Sequence, residues 1–410
     1  MQAEELKNIR IEDYTYELPE ERIAKYPLED RKASRLLVYE EGKISQCNYS
    51  DVTDLLAQDQ VLVYNNTRVI FARMLFHKPT GAAIEVFCLE PHQPADYAVN
   101  FASKHACEWK CMVGNLKKWK SEKIYTTFEY NGTKESVCAE KVIQAEGGEV
   151  IVRFSWDADL TFSEVLEYGG KIPIPPYLNR EADDSDKIRY QTIYSKEEGS
   201  VAAPTAGLHF TSEVLEEIVG KGVRIEELTL HVGAGTFRPV KSETIGEHDM
   251  HTEHVVVALA LLESLMNAPK EIIGIGTTSV RTLESIYWMG VKLLEGKEDF
   301  NQLSQWEAYT LPTHYTLKES MKALYHWLEN EEQDTLKAQT TIIIVPGYQF
   351  KVLDGFFTNF HQPQSTLLLL VAAAVGEDWR KIYQYALGHE FRFLSYGDGS
   401  FLKVSNKSRQ

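Results

Sequence analysis

Hydrophobic and polar positions alternate in short runs between residues 61 and 154. Such alternation, with β-branched residues and with glycines at the turns, is typical of β-strands that bury one face. The Asn131-Gly132 pair further predicts a type I′ hairpin, because both residues tolerate a positive φ. We therefore predict a small all-β domain, inserted into a larger one, over residues 61–154. Its strands are expected in VLVYNNTRVIFARM, AAIEVFCLE, YAVNF, KIYTTFEYNGTKESVCAEKV and EVIVRFSW.

After residue 200, nearly continuous apolar strands alternate with helical segments. This order predicts a parallel β-sheet covered by helices, and hence an α/β fold with a barrel-like main domain. We expect that domain to comprise residues 1–60 and 155–410. The strands are predicted in VRIEELTLHVG, EIIGIG, TIIIVPG and LDGFFTNFH, and the helices in LHFTSEVLEEIVGKG, SVRTLESIYW and STLLLLVAAAVG.

Residues 287–340 are acidic and polar, unlike the segments around them. Thr316-x-x-Glu319 is a capping-box pattern and predicts the start of the helix LKESMKALYHWLENEE. We interpret this segment as a helical insertion on the surface of the main domain.

Length and composition narrow the class of protein. The chain has 410 residues, 43% of them hydrophobic, which is enough for two domains. The N-terminal residues are charged, and the longest apolar run, Leu367 to Val375, is far shorter than the roughly 20 residues that span a bilayer. We therefore expect a cytoplasmic protein without a membrane segment.

The chain has five cysteines, and none of them is spaced as a CxxC pair. We therefore expect neither a disulfide framework nor a metal site.

The formal net charge of −17 argues against non-specific nucleic-acid binding, because attraction to phosphates supplies most of that affinity. An RNA partner would need a local basic patch. Residues 104–123 offer one, with two tryptophans, Trp109 and Trp119, among its basic residues. The lysines of this patch are Lys104, Lys110, Lys117, Lys118, Lys120 and Lys123.

Polar residues follow several of the predicted strands, where α/β barrels carry their chemistry. The small residues before the helix SVRTLESIYW offer backbone N–H groups to an anion. Taken singly, each motif also fits a tight turn, a structural histidine or a packed connection. No dinucleotide fingerprint, nucleophile elbow or P-loop is present. The candidate residues are His209, His231, Thr236, Phe237, Arg238, Thr277, Thr278, Ser279, Arg281, Glu284, Asn359, His361, Tyr396 and Asp398.

Together these segments resemble one family, the S-adenosylmethionine:tRNA ribosyltransferase-isomerases of queuosine synthesis. The matching motifs occur in family order along nearly the whole chain. They are Tyr26-Pro-Leu, Ser34-Arg-Leu-Leu, Asn65-Asn-Thr-Arg-Val69, Ile174-Pro-Pro-Tyr177, Arg189-Tyr-Gln-Thr-Ile-Tyr194, Val201-Ala-Ala-Pro-Thr-Ala-Gly-Leu-His-Phe210, Leu230-His-Val-Gly-Ala-Gly-Thr-Phe-Arg-Pro-Val240, His248-x-Met-His251, Gly276-Thr-Thr-Ser-Val-Arg-Thr-Leu-Glu284, Pro346-Gly-Tyr348, Thr358-Asn-Phe-His361 and Ser395-Tyr-Gly-Asp398.

The resemblance implies an α/β barrel-like domain with an inserted β-barrel. It also implies a reaction in which S-adenosylmethionine donates its ribosyl part to 7-aminomethyl-7-deazaguanine (preQ1) at the wobble position of tRNA. Adenine and methionine leave, and epoxyqueuosine remains. S-adenosylmethionine is consumed, so no separate cofactor is expected. We expect the chain to act as a monomer.

That reaction needs a base for the proton next to the sulfonium, and groups that bind adenine, deazaguanine and methionine. The sequence does not assign these roles. His231 or Glu284 is the candidate base, with Arg281 beside it. The substrate-binding candidates are Thr277, Thr278 and Ser279 for the methionine carboxylate, Asn359, His361 and Asp398 for base edges, Phe237 and Tyr396 for stacking, and His209, Thr236 and Arg238. The candidate tRNA contacts are Arg68, Lys117, Lys118 and Lys120.

The sequence leaves two other classes of protein open. An ordinary methyltransferase acting on RNA would normally carry a glycine-rich nucleotide loop, which the sequence lacks. A non-catalytic tRNA-binding protein would have no need of the polar residues at the strand ends. Release of free adenine separates the family reaction from both.

Overall fold

A computed structural model describes residues 3–78, 80–120, 122–144, 149–233, 240, 242–268, 270–405 and 407. The strands in this part of the chain are β1 Arg35–Glu40, β2 Lys43–Asn48, β3 Val61–Asn65, β4 Thr67–Val69, β5 Arg73–His77, β6 Ala83–Gln93, β7 Ala106–Val113, β8 Ile124–Tyr130, β9 Thr133–Gln144, β10 Val150–Trp156, β11 Glu197–Ser200, β12 Arg224–His231, β13 Glu253–Ala258, β14 Ile272–Ile275, β15 Gln302–Leu303, β16 Thr335–Thr340, β17 Gly355–Asn359 and β18 Gly399–Lys403.

The helices of the same ranges lie mainly outside the inserted domain. They are α1 Ala3–Lys7, α2 Val52–Leu55, α3 Tyr97–Phe101, α4 Phe162–Gly169, α5 Asp186–Arg189, α6 Ser212–Gly220, α7 Leu259–Met266, α8 Thr277–Leu294, α9 Leu317–Asn330, α10 Thr366–Val375 and α11 Asp378–Gly388.

The main domain is built on a ten-stranded sheet in the order β15-β16-β13-β12-β3-β14-β17-β18-β1-β2. Its centre, β12-β3-β14-β17, is parallel, and β3, β14 and β17 are buried along their whole length. Towards both edges antiparallel pairs appear, such as β12 with β13 and β17 with β18. The α/β class is therefore confirmed, but the sheet is mixed: its centre is parallel, and towards the edges antiparallel pairs alternate with the parallel pairs β1-β18 and β15-β16.

The inserted domain is a closed six-stranded barrel in the order β10-β7-β6-β5-β8-β9, with antiparallel neighbours throughout. The predicted hairpin joins β8 to β9, and Asn131 and Gly132 have φ values of 49° and 75°. Side chains including Phe76, Trp109 and Phe154 fill its interior. The predicted all-β insertion is therefore confirmed as a barrel.

The barrel strands begin at Arg73 rather than at residue 61, and they end at Trp156. Strand β3 pairs with β12 and β14 of the main sheet, and β4 pairs with β11. The predicted start was early because strand periodicity does not show which sheet a strand joins. Strand β3 is a fully buried strand of the main domain that happens to precede the barrel.

Three further expectations differ from the structure. YAVNF is not a strand but the short helix α3, Tyr97–Phe101, which Asp96 caps by accepting from the N–H of Val99. TIIIVPG is not a strand: β16 ends at Thr340, and the apolar residues after it are buried in irregular backbone. Residues 287–340 are not simply a surface helical insertion, because β15 and β16 extend the main sheet and α9 packs on α7 and α8. Strand β16 was missed because only two of its residues, Leu336 and Ala338, are apolar, which is too few to distinguish a strand from the polar segment around it. The capping box at Thr316 is present as predicted.

Helix α10 contains the longest apolar run, and it is buried from Leu368 to Val375 as predicted. It packs in the main core, against α11 and β18. No helix in the described ranges combines the length and the apolar character needed to cross a bilayer.

Candidate active site

A cavity lies at the carboxyl edge of the parallel strands. Strands β12, β14 and β17 run in one direction, so their ends, His231, Ile275 and Asn359, meet at the same edge. The loops that follow them converge there, together with two loops from elsewhere in the main domain. The lining residues fall in the segments 202–206, 232–233, 248–253, 276–281, 358–367 and 394–395, with Tyr177 and Tyr190.

The end of β12 is fixed by side chains from neighbouring strands. The Asn65 side chain, at the end of β3, donates to the carbonyl of Leu230 and accepts from its N–H, at 3.0 Å each. The Ser200 hydroxyl accepts from the N–H of Val232 at 2.8 Å. Buried backbone groups that leave a strand need such partners. These contacts hold the loop after β12 at the cavity wall.

Arg281 lies near the start of α8, and its side chain lines the cavity. There it contacts Glu253, the first residue of β13. Arg281 Nη1 lies 2.5 Å from Glu253 Oε2, and both side chains are almost fully buried. The Nε and Nη2 atoms of Arg281 are buried without a hydrogen-bond partner in the part of the chain that the structure describes. Buried donors normally have partners, so the guanidinium offers two positions to a bound anion.

Burial also perturbs Glu253. It raises the pKa of this carboxyl group, and the positive charge of Arg281 opposes the shift without abolishing it. A carboxylate with a raised pKa is a stronger proton acceptor than an ordinary one. Glu253 is therefore suited to proton transfer inside the cavity.

The start of α8 adds a second feature that attracts anions. Gly276, with a φ of 87°, turns the chain from β14 into the helix, and Thr277 and Thr278 line the cavity. The hydroxyl of Thr278 is buried and has no partner among the described residues. Free N–H groups and the dipole at a helix N-terminus favour negative charge. Ser279 points elsewhere, donating to the carbonyl of Ile275 at 2.8 Å.

Asn359 and His361 form the facing wall. Thr205 donates to Asn359 Oδ1 at 2.7 Å, and Asn359 Nδ2 lies 3.4 Å from His209 Nε2. The Thr358 hydroxyl lies 2.7 Å from His361 Nε2. Burial lowers the pKa of both histidines to about 3, with Arg392 and Arg31 adding to the effect on His209. Both rings are therefore neutral at neutral pH, and this wall offers hydrogen bonds without charge.

The structure does not bring Glu284 to the cavity. This carboxylate is fully buried, and its oxygens accept from the Tyr348 hydroxyl at 2.8 Å and from three backbone N–H groups. The three N–H donors, Lys351, Val352 and Leu353, lie at 2.9, 3.0 and 3.2 Å. Glu284 thus joins the core side of α8 to the segment that leads into β17.

His231 faces away from the cavity as well. Side chains alternate along a strand, so Val232 lines the cavity whereas His231 points to a groove between the barrel and the main sheet. Its ring stacks on Tyr97 of α3 at a centroid distance of 4.2 Å. Burial and the neighbouring His254 lower the pKa of His231 to about 4. The candidates Thr236, Phe237 and Arg238 lie outside the described residues.

Tyr396 and Asp398 lie behind the cavity wall. The Tyr396 hydroxyl donates to Asp186 Oδ1 at 2.7 Å. Asp398 accepts from the backbone N–H groups of Arg35 and Arg392 at 3.0 and 2.8 Å. Their neighbour Ser395 does line the cavity. The motif Ser395-Tyr-Gly-Asp398 thus reaches the cavity through Ser395, whereas the two side chains selected from it, Tyr396 and Asp398, bind to other parts of the fold.

The candidate tRNA contacts lie apart from the cavity lining. Arg68 is exposed on β4, and Lys117, Lys118 and Lys120 are exposed between β7 and β8 of the barrel. The other lysines of the basic patch are engaged in ion pairs, which are Lys104 with Asp159, Lys110 with Glu90 and Glu149, and Lys123 with Glu140.

Sequence reasoning missed the segment from His248 to Glu253. The motif His248-x-Met-His251 was recognised, yet none of its residues was chosen, although His248, Met250 and His251 all line the cavity. Glu253 was missed altogether. The sequence did contain a signal for it, because Glu253 is a titratable residue at the start of an apolar strand, two positions after that motif.

These observations define an α/β enzyme with an inserted β-barrel, whose cavity presents an arginine–carboxylate pair, a helix N-terminus and neutral hydrogen-bonding groups. The family model described as queuosine biosynthesis protein matches residues 11–402. The chain belongs to this family, and it is a transferase-isomerase of tRNA modification, as the resemblance predicted.

One similar solved structure is the crystal structure of S-adenosylmethionine tRNA ribosyltransferase from Thermotoga maritima. The two sequences are 26% identical, and the match covers 95% of this chain and 99% of that one, with a TM-score of 0.45.

Proposed function

We propose that the cavity transfers and isomerises the ribosyl part of S-adenosylmethionine onto preQ1 at the wobble position of tRNA. The products are epoxyqueuosine in the tRNA, free adenine and methionine. S-adenosylmethionine is consumed, and no separate cofactor takes part. The observation that carries the proposal is Arg281, whose Nε and Nη2 atoms are buried in the cavity without partners among the described residues.

In this proposal Arg281 and the start of α8 bind the methionine carboxylate of S-adenosylmethionine. Two guanidinium donors match the two oxygens of a carboxylate, and the N–H groups near Thr277 and Thr278 add to the attraction. The neutral wall formed by Asn359 and His361 then faces the adenine, a neutral base that is bound by hydrogen bonds rather than by charge.

Glu253 is proposed as the base. The sulfonium acidifies the adjacent ribose carbon, and the proton on that carbon passes to the Glu253 carboxylate. Burial raises the pKa of this carboxyl group, which increases its proton affinity, while the ion pair with Arg281 orients it. The positive sulfonium also favours a position near this carboxylate. The assignment replaces His231 and Glu284, which lie outside the cavity lining.

The proposed setting is the cytoplasm, where tRNA is modified, and the proposed active unit is one chain.

The test is to incubate the purified protein with S-adenosylmethionine and tRNA that carries preQ1, and to follow adenine release and nucleoside mass together. Adenine with epoxyqueuosine supports the proposal, and tRNA without preQ1 is the control. S-adenosylhomocysteine with a methylated nucleoside would instead show a methyltransferase. Neither product, with tRNA binding retained, would show a binding protein.

A further inference from the structure

A small basic pocket adjoins the active cavity. It shares Ser395 with the cavity, and its residue His209 contacts the cavity residue Asn359. We call it the arginine pocket, because two arginines, Arg31 and Arg189, form one side. Its lining comprises Pro27, Leu28, Arg31, Ser34, Arg189, Leu208, His209, Ser395 and Tyr396.

Both guanidinium groups are fixed by carbonyl oxygens. Arg31 donates to the carbonyls of Gln191, Leu208 and Ile188 at 2.9, 3.4 and 3.0 Å. Arg189 donates to the carbonyl of Glu29 at 3.0 Å and to that of Leu28. A guanidinium has five N–H donors, so each arginine keeps donors beyond these bonds.

Neither guanidinium group is paired with a carboxylate among the described residues. Within the ranges that the structure describes, no carboxylate forms an ion pair with Arg31 or Arg189, and Arg189 Nε is buried without a partner. Burial and the like charge of Arg189 lower the pKa of Arg31. Carbonyl ligands hold the groups in place but do not neutralise them. The two fixed guanidinium groups, which the carbonyls do not neutralise, thus attract anions to this part of the surface.

Two carboxylates close to Arg189 in sequence, Asp186 and Asp184, are paired with basic residues. Asp186 forms two bonds to Arg180, at 2.7 and 2.8 Å. Asp184 pairs with Lys187 at 2.9 Å, and Asp30 accepts the backbone N–H of Lys32. These two ion pairs offset the negative charge of Asp186 and Asp184.

An exposed aromatic ring lies beside the pocket. Tyr26 is 54% exposed, and the Arg180 guanidinium lies 4.1 Å from its ring centroid. Arg180 is joined through Asp186 to Tyr396 of the pocket lining. Exposed aromatic rings next to positive charge are the usual stacking platforms for unpaired bases.

We propose that the arginine pocket binds a backbone phosphate of the tRNA next to the modified nucleotide, and that Tyr26 stacks a neighbouring base. The inference rests on the proposed function, since the cavity must hold the flipped-out wobble base. Its adjacent phosphates then lie at the cavity rim, where the pocket is. The pocket supplies the local positive charge that a strongly acidic protein needs to dock RNA.

The experiment measures the affinity of each variant for an anticodon stem-loop RNA over a series of salt concentrations. The first variant, Arg31→Gln/Arg189→Gln, removes both charges. The second, Ser34→Asp, keeps both arginines and places a carboxylate against them, so it tests the charge without removing their carbonyl bonds. The matched control is Lys43→Gln/Arg153→Gln, which removes two exposed charges from β2 and β10. Thermal unfolding and S-adenosylmethionine binding are recorded for all of them.

We expect both test variants to bind the RNA on the order of tenfold more weakly, because the charge-assisted hydrogen bonds to the phosphate are removed or opposed. The slope of log affinity against log salt should fall by about 0.7 for each single-strand phosphate that the variant no longer neutralises. S-adenosylmethionine binding should not change. Wild-type affinity and slope in Ser34→Asp, with the control equally unaffected, would overturn the proposal.

The activity of the wild-type protein distinguishes a failure of the proposed docking site from a failure of the proposed function. If wild-type protein releases adenine but Ser34→Asp keeps its RNA affinity, the docking site is wrong and the function stands. If wild-type protein binds the RNA through the pocket but releases no adenine, the proposed function is wrong and the docking site stands.

Discussion

Glu284 provides the sharpest test, because it was a candidate base in the sequence and is a buried acceptor in the structure. Replacing it with alanine removes the partner of four donors: the Tyr348 hydroxyl and the N–H groups of Lys351, Val352 and Leu353. Each buried donor left unpaired costs about 1–3 kcal/mol. Water that enters the vacated space can accept hydrogen bonds from some of these donors. We expect Glu284→Ala to lower the free energy of unfolding by about 4 kcal/mol.

Glu284→Gln is a milder change whose effect can also be worked out. The amide oxygen can keep the bonds from Val352 and Leu353, which share one carboxylate oxygen. The new NH₂ group then faces the N–H of Lys351 and the Tyr348 hydroxyl, which already accepts from Trp288. One donor–donor conflict remains, so we expect the free energy of unfolding to fall by about 2 kcal/mol.

The assay combines urea unfolding with hydrogen exchange at the amides of Lys351, Val352 and Leu353. These amides should exchange faster in both variants, and most of all in Glu284→Ala. The control is Glu298→Ala at an exposed position, where we expect a change within about 0.5 kcal/mol. The reasoning fails if Glu284→Gln has the stability and amide exchange of the wild-type protein but releases adenine at least 100-fold more slowly. Glu284 would then be the base.

Three further predictions concern the cavity and the basic patch. Glu253→Gln should lower kcat by about 10²–10⁴-fold and leave tRNA affinity unchanged. Because burial raises the pKa of Glu253 and the base must be ionised, wild-type kcat/KM should rise with pH across that pKa, and pH–rate profiles of the variant should lack this rise. Arg281→Met should weaken S-adenosylmethionine binding by roughly 10–100-fold in calorimetry; an unchanged Kd would contradict the carboxylate contact. Lys117→Glu/Lys118→Glu/Lys120→Glu should weaken tRNA binding, and unchanged affinity would remove this patch from the docking surface.

The sequence predicted those parts of the structure that local patterns determine. The Asn131-Gly132 turn, the cap at Thr316 and the buried run in α10 depend on neighbouring residues and were predicted correctly. Of the candidate residues, Thr278 and Asn359 line the cavity, because Thr278 follows β14 and Asn359 ends β17, and the carboxyl ends of these buried strands meet there.

The remaining features depend on side-chain direction and on distant contacts. Arg281 and Glu284 lie three positions apart on α8, yet one enters the cavity and the other points into the core. His231 and Val232 differ by one position and lie on opposite sides of the cavity wall. Glu253 belongs to a strand whose partners, β12 and β16, are remote in sequence. Periodicity alone does not resolve such choices.

The pairing of β1 with β18 has a consequence for how the protein is made. Leu36 lies opposite Gly399, so a strand from the start of the chain finds its parallel neighbour only near the end. The barrel, in contrast, consists of strands that are contiguous from Arg73 to Trp156. On the ribosome the barrel can therefore fold while synthesis continues. The main sheet, and with it the active cavity, is completed only after the last strand emerges.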